Sequence, residues 1–421
     1  MGGAAGHMAH LHEDLDLTFN ELISIIDLVA SADIEVTEKV DGQNLFMTVN
    51  DLGEIRTARN PGDIKRGGMT PEQYTAKWQG HPAEKAFMRG FKAVKSVISA
   101  LPLDEKIDIF DGGNSYVNME IMYYNPETGK NSNIINYNAC YVVVHALVSD
   151  DPNAEKQFEK LARLINAKQT EIDEQVWSVY GPQLIKLNNI ANGETHENVK
   201  SRIREIASPV GMNATILDLC QIYYKELIVS DDIPENIAHD IVELVFNKPN
   251  AKPLLKIKKS NPSFAKKISK YGTKTNSKKV IGAVLRPLEN IINDFAIEVL
   301  RGIKSFFVID HDQAVADMRQ ELEVSILSLR EIAAEGDEKM GQMVDRQLSK
   351  LGDIENLASS LEGIVFRHNG KVYKMTGAFA MANQIIGRAR RSGGRKSQNE
   401  NTVAMSKNQL AKLIERLVIS L

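Results

Sequence analysis

The run Thr37-Glu38-Lys39-Val40-Asp41-Gly42-Gln43-Asn44-Leu45-Phe46 constrains the fold more than any other stretch of the chain. Apolar, β-favouring residues flank it on both sides, Ile34 and Val36 before and Leu45 to Val49 after, so residues 35–59 read as strand, tight turn, strand. Asp-Gly supplies the turn, and a residue without a Cβ lets a ligand approach the backbone. An amine held at such a corner becomes a nucleophile only if desolvation or neighbouring positive charge strips its proton. Otherwise Lys39 is a solvated residue on a surface hairpin, and the run alone leaves both readings open.

Distant companions sharpen the choice. Tyr116-Val117-Asn118-Met119-Glu120-Ile121, Leu361-Glu362-Gly363-Ile364-Val365-Phe366-Arg367 and Lys371-Val372-Tyr373-Lys374-Met375-Thr376-Gly377 are short β-like runs, each carrying an acid or a lysine. Lysine, acid, acid and lysine together suit a nucleotide phosphate and a divalent cation. Glu120 interrupts an apolar strand. It is either a solvent-facing residue or a buried carboxylate, which would need a ribose hydroxyl or a metal as partner.

In order and character these runs resemble the ATP-dependent polynucleotide ligases and mRNA capping enzymes, the covalent nucleotidyltransferases. Lys39-Val40-Asp41-Gly42 matches their first motif, Lys-x-Asp/His-Gly, and Asn44 is similar to the RNA-ligase branch. Thr57-Ala58-Arg59-Asn60 resembles the next motif, Glu120 the third, Glu362-Gly363 the fourth, and Lys374, with Lys371, the fifth. Three departures stand out. Val144 or a neighbour replaces the usual aromatic ring beside the base, Met119 replaces the glycine before the third-motif acid, and Lys371 and Lys374 lie three positions apart instead of two.

The resemblance implies an α+β fold: an antiparallel-sheet nucleotidyltransferase (adenylation) domain from residues 10–147 and 356–387, with a large helical insertion and no OB-fold. It implies Lys39 as nucleophile, Lys374 at the α-phosphate, Glu38, Asn44, Arg59, Glu120 and Lys371 around the nucleotide, and Glu362 with Glu120 as metal ligands. ATP and magnesium, or manganese in its place, would be the cofactors. The activity implied is sealing of 5′-phosphate/3′-hydroxyl breaks in nicked duplex, DNA or a DNA/RNA hybrid, by an intracellular, phage-type, monomeric enzyme. The alternatives are an RNA ligase acting on RNA ends, a capping-type guanylyltransferase, and a non-catalytic nucleotide sensor that holds nucleic acid.

Composition bounds the class without naming it. With 421 residues, 43% hydrophobic and 25% charged, the chain is long enough for two or three cored domains. The net charge of -4 announces no nucleic-acid partner, so any basic face must be local. Cys140 and Cys220 lack partner spacing, which argues against a disulfide framework or zinc site and favours a reducing, cytoplasmic setting. No apolar run is long enough to cross a bilayer. Residues 1–9, with Gly-Gly-Ala-Ala-Gly-His-Met, read as an expression scar.

Periodicity organises the rest. Leu17, Phe19, Leu22, Ile23, Ile26 and Val29 predict a helix, His10 to Asp14 an acidic helix start, and residues 83–100 an amphipathic helix. Ile107 to Phe110, Tyr116 to Met122 and Tyr141 to Leu147 predict strands. Residues 148–355 read as the helical insertion. Within it, the basic segment 248–286, with Lys256, Lys258, Lys259, Lys266, Lys267 and Lys270 and no acid, is either a nucleic-acid-binding surface or a solvated face. Residues 388–421 carry Arg388, Arg390 and Arg391 as further phosphate ligands, then a predicted helix through Leu410, Leu413, Ile414 and Leu417.

Overall fold

The computed structural model describes residues 8–190, 193–247, 251–271 and 274–396. Met1 to His7 of the expected scar and the predicted helix with Leu410 to Leu417 lie outside the described residues. Strands and helices mix as an α+β fold with mostly antiparallel pairing. The strands are β1 (Ala9–His10), β2 (Val36–Lys39), β3 (Gln43–Val49), β4 (Ile55–Ala58), β5 (Tyr116–Met122), β6 (Tyr124–Asn125), β7 (Lys130–Asn131), β8 (Cys140–Val148), β9 (Lys168–Ile172), β10 (Gln175–Tyr180), β11 (Leu184–Ile185), β12 (Gly363–His368) and β13 (Lys371–Met375). They build one sheet of order β1-β13-β12-β2-β11, a second of order β4-β3-β5-β8-β10-β9, and the short ribbon β6-β7. No helix among the described residues is long and apolar enough to cross a membrane.

Strand alternation sorts each sheet into an apolar face and a polar one. In the first sheet Val36, Ile364, Phe366, Tyr373 and Met375 turn into a core with the helices Phe19–Ala30 and Lys274–Arg301. The earlier helix starts where the sequence places it, because Thr18 and Glu21 form a capping box: the Thr18 hydroxyl accepts from the Glu21 N–H at 3.1 Å and the Glu21 carboxylate accepts from the Thr18 N–H at 2.9 Å. In the second sheet Leu45, Met47, Val117, Met119, Ile121, Val142, Val144 and Trp177 face a core built with helices Glu84–Ser99 and Ala154–Ile165. That leaves Thr37, Lys39, Val365 and Lys374 on one inner face, and Asn44, Asn118 and Glu120 on the other.

Several expectations are corrected. Ile107 to Phe110 ends a helix, Leu103–Phe110, opened by Pro102 with Asp104 and Glu105 in its first turn; a short apolar run does not distinguish a strand from one face of a helix. Residues 148–355 are not helical throughout, since β9 and β10 extend the second sheet and β11 pairs with β2. His10 to Asp14 is a strand end and a single tight turn, not the start of a helix. Ala9 pairs with Tyr373 in parallel register, so the last residue assigned to the scar is part of the sheet.

The chain divides into two compact units, one of residues 1–318 and 355–380, the other of residues 319–354 and 381–421. The first contains both sheets. It also contains a satellite core of Tyr224, Ile228, Ile237, Ile241, Ile268 and Tyr271, which seats the helices bearing the basic segment. In the second unit, Leu322, Ile326, Leu329, Met340, Val344, Ile385 and Ile386 are buried, and Asp337 caps the helix Glu338–Leu351.

Candidate active site

Lys39 is the last residue of β2, opposite Gly363 of β12. Its ammonium is buried and lies 2.6 Å from Oε1 of Glu362 and 3.9 Å from Oε1 of Glu120. Four segments far apart in the chain therefore meet: β2 brings the lysine, β5 brings Glu120, the approach to β12 brings Glu362, and β13 brings Lys374, whose charge is felt by both Lys39 and Glu362. Gly42 makes the approach of β5 possible. A Cβ there would stand 2.6 Å from the Cβ of Glu120, so the turn after the lysine has no room for a side chain.

Burial sets the protonation of this cluster. It pushes the Lys39 ammonium down, yet the carboxylates of Glu120, Glu362 and Asp41 outweigh it and hold Lys39 above the ordinary lysine value. Burial raises Glu120 and Glu362; the Lys39 charge opposes the rise, and the neighbouring carboxylates add to it. Lys374 is lowered by burial and then by the Lys39 charge. At rest Lys39 is thus a paired cation, and chemistry at its amine requires the carboxylate field to be reduced.

Two further groups complete the cluster, and the sequence reading assigned neither a role. His145 sits at a bulge in β8, where the register against β5 shifts between Asn118 and Met119, so that His145 and Ala146 both reach the inner face. Its Nε2 is 3.8 Å from Oε2 of Glu120, and both atoms are buried without a hydrogen-bond partner. Burial, and then the Lys39 charge, push the imidazole down to about 3, so it is neutral. Tyr137 accepts the Asp41 N–H at 2.7 Å, while the Asp41 carboxylate accepts the N–H groups of Ile134 and Ile135 at 2.7 and 3.2 Å. Asp41 thus staples the loop before β8 to the turn after Lys39.

The remaining sequence candidates divide. The Asn44 side chain donates to Asn118 at 2.6 Å, across the strand pair that also sets Asn44 opposite Glu120. Arg59 donates to the Asn44 carbonyl and lies over the rings of Phe87 at 4.7 Å and Trp78 at 5.6 Å, so it braces the backbone carrying Asn44. Glu38 points to the opposite face of β2 from Lys39. It is buried, accepts from Ser305 and from the Phe306 N–H, and is pushed up to about 7 by burial.

Lys371 is not part of the cluster. Three positions from Lys374 on a strand, it takes the other face, where its ammonium is 2.8 Å from Asp14. Val144, the expected neighbour of a base, turns into the core; Tyr141 is the aromatic residue of β8 that packs against Tyr180 and Phe307. Of the basic residues, Lys270 is 2.6 Å from Asp231, Lys267 donates to the Asp231 carbonyl and lies 3.2 Å from Asp232, and Arg390 grips Glu321 at 2.7 and 2.9 Å. These side chains are exposed and paired with acids of their own unit, surface pairs worth little in free energy. Lys256, Lys259, Lys266, Arg388 and Arg391 are exposed, and Lys258 is half-buried.

A cleft of about 720 Å³ runs along the inner faces, lined by Thr37, Val365, Asn118, His145 and Ala146 and rimmed by Glu13, Asp14, Glu155 and Arg367. His145, whose Nε2 is 3.8 Å from Glu120, lines it, as does Lys371, whereas Lys39, Glu120, Glu362 and Lys374 do not; its size suits a nucleotide. Among the described residues no group of three or more His, Cys, Asp or Glu side chains is placed to hold a metal ion. The pair Glu120 and Glu362 still offers hard oxygen donors, including the orphaned Oε2 of Glu120, and magnesium commonly takes one or two carboxylates and completes its shell with phosphate and water. No family model matches the chain, and neither a curated protein nor a solved structure matches it.

Proposed function

We propose that the protein is an ATP-dependent polynucleotide ligase that works through a lysyl-AMP intermediate. The observation that carries this reading is the convergence on one buried amine of two carboxylates and a second lysine from remote strands, in the order in which the covalent nucleotidyltransferase motifs occur. The Lys39 amine attacks the α-phosphorus of ATP, forming an N–P bond and breaking the bond to pyrophosphate. AMP then passes to a 5′-phosphate end, and a 3′-hydroxyl displaces AMP to form the phosphodiester. Glu362, at 2.6 Å, is the base nearest the Lys39 proton, and burial raises its proton affinity. Lys374 stands against the charge that gathers on phosphorus, and positioning does most of the remaining work. Magnesium bound by Glu362 and Glu120 would supply further positive charge against the phosphate oxygens.

The deciding experiment incubates the full chain with magnesium and α-labelled ATP or GTP and looks for label on the denatured protein. Label from ATP but not GTP is the expected result, and label from GTP alone selects the capping-type reaction. A comparison of nicked DNA, nicked RNA and hybrids assigns the strand type.

We assign the nucleic-acid contact to the exposed face of helices Ala251–Ser260 and Ala265–Tyr271. Neutralising Lys256, Lys258 and Lys259 together is expected to reduce the slope of log affinity against log salt by about 2 to 3, the counterion release of three phosphate contacts. An unchanged slope removes this face from the binding surface.

A further inference from the structure

Glu38 is the residue before the proposed nucleophile, and a segment 267 positions downstream already donates to both oxygens of its carboxylate. The Ser305 hydroxyl donates to Oε1 and the Phe306 N–H donates to Oε2 at 2.6 Å, while the Phe307 N–H donates to the Ser305 hydroxyl at 3.1 Å. The same three residues cover aromatic surface. The Phe307 ring centre is 5.0 Å from Tyr141 and 5.4 Å from Tyr180, and that of Phe306 is 6.0 Å from Tyr180. Within and just after this contact exposure alternates: Ser305, Phe307 and Val308 are buried, while Phe306 is 53% and Ile309 95% exposed. An open Phe306 ring beside Tyr180 and a Phe307 ring seated on Tyr141 and Tyr180 mark an aromatic surface that another flat ring can take.

We propose that Ser305–Phe307 is an autoinhibitory strap. It fills the hydrogen-bonding edge of Glu38 and the faces of Tyr141 and Tyr180, and an amino-bearing nucleobase enters there only when the strap withdraws. The imitation is chemical: two N–H or O–H donors on a carboxylate beside a flat ring are what a base with an exocyclic amine would present. Ser305 and Phe306 stand where a further donor would have to approach the two Glu38 oxygens, so strap and base compete for the same space. The proposal rests on the nucleotide-binding reading above and adds to it that the nucleotide must displace part of the protein itself.

Two measurements test it. In the labelling assay, Ser305→Ala removes one donor to a charged acceptor from the strap, and the ATP concentration giving half-maximal labelling is expected to fall about five- to tenfold. A half-maximal concentration that stays the same or rises in Ser305→Ala, with the wild type labelling normally, overturns the strap and makes Ser305 part of the pocket. Hydrogen exchange on the wild type with ATP and no magnesium reads displacement without any transfer. Exchange at the Phe306 and Phe307 amides is expected to speed up, whereas slower or unaltered exchange also overturns the proposal. A wild type that takes no label but shows faster exchange refutes the ligase chemistry and leaves the strap standing.

Discussion

Lys39→Ala is expected to lose covalent labelling by about a thousandfold or more, because it removes the protein atom that the proposed mechanism bonds to phosphorus. Retained label would move the nucleophile elsewhere. The same substitution has a second, independent consequence. It leaves Glu120 and Glu362 buried together without the cation that sits 3.9 and 2.6 Å from them, and breaking a buried pair from one side costs about 3–5 kcal/mol when the remaining charge stays ionised. The two carboxylates escape by taking up protons. Their folded values already lie above the ordinary glutamate range through burial, and loss of Lys39 raises them further.

The sign of the pH effect follows from that. A carboxyl group whose folded value is raised holds more protons in the folded state than in the unfolded one between the two values. Its favourable contribution is therefore complete below the ordinary glutamate range and is lost as pH rises through the folded value. In the wild type the Lys39 charge, itself held above the ordinary lysine value, opposes this loss. Urea midpoints of Lys39→Ala should approach the wild type near pH 5 and fall progressively behind it toward pH 8. Parallel curves would mean that the acids are solvated and that the cluster is not the closed site described above.

What the sequence made legible was the site, and what it hid was the frame. The strands at Lys39, Glu120, Glu362 and Lys374 each carry a charged residue in an apolar alternation, and a buried charge must meet another, so four such interruptions point to one place. The face of Lys371 was decidable from sequence as well, since an odd spacing on a strand places it opposite Lys374. β9 was not decidable: Lys168–Ile172 is a polar edge strand between a helix and β10, with no apolar run to announce it. The bulge at His145 leaves no trace in an otherwise unbroken β pattern. The basic segment shows a different limit. A run of lysines shows charge along the chain, but Asp231 and Asp232, which pair with Lys270 and Lys267, lie far upstream in the turn after helix Ile216–Ser230 and meet them only in space.

Gly363→Ala should be the most damaging of the glycine substitutions, although it removes no functional group. Gly363 opens β12 opposite Lys39, and its partner strand β13 comes so close that an added Cβ would lie 2.2 Å from the Met375 carbonyl oxygen and 2.9 Å from the Thr376 Cα. Both obstacles are backbone and cannot rotate away, as the tip of a side chain would. Either β12 shifts, which moves Glu362 off Lys39, or β13 shifts, which moves Lys374. The hairpin cannot absorb the strain at its far end, because its turn is fixed by Asn369 and Gly370, both at positive φ, as a tight two-residue connection requires. Overpacking of this kind costs about 3 kcal/mol or more, against about 1 kcal/mol for Gly370→Ala, where nothing lies within 4 Å and only the backbone angle is strained. Urea midpoints of the two variants, with labelling by α-labelled ATP measured on whatever remains folded, separate the two effects. Gly363→Ala should lose both stability and labelling, while Gly370→Ala should lose a little of the first and keep the second. A Gly363→Ala protein with an unchanged midpoint would show that β12 and β13 do not approach this closely, and the geometry holding Glu362 and Lys374 around the amine would fall with that contact.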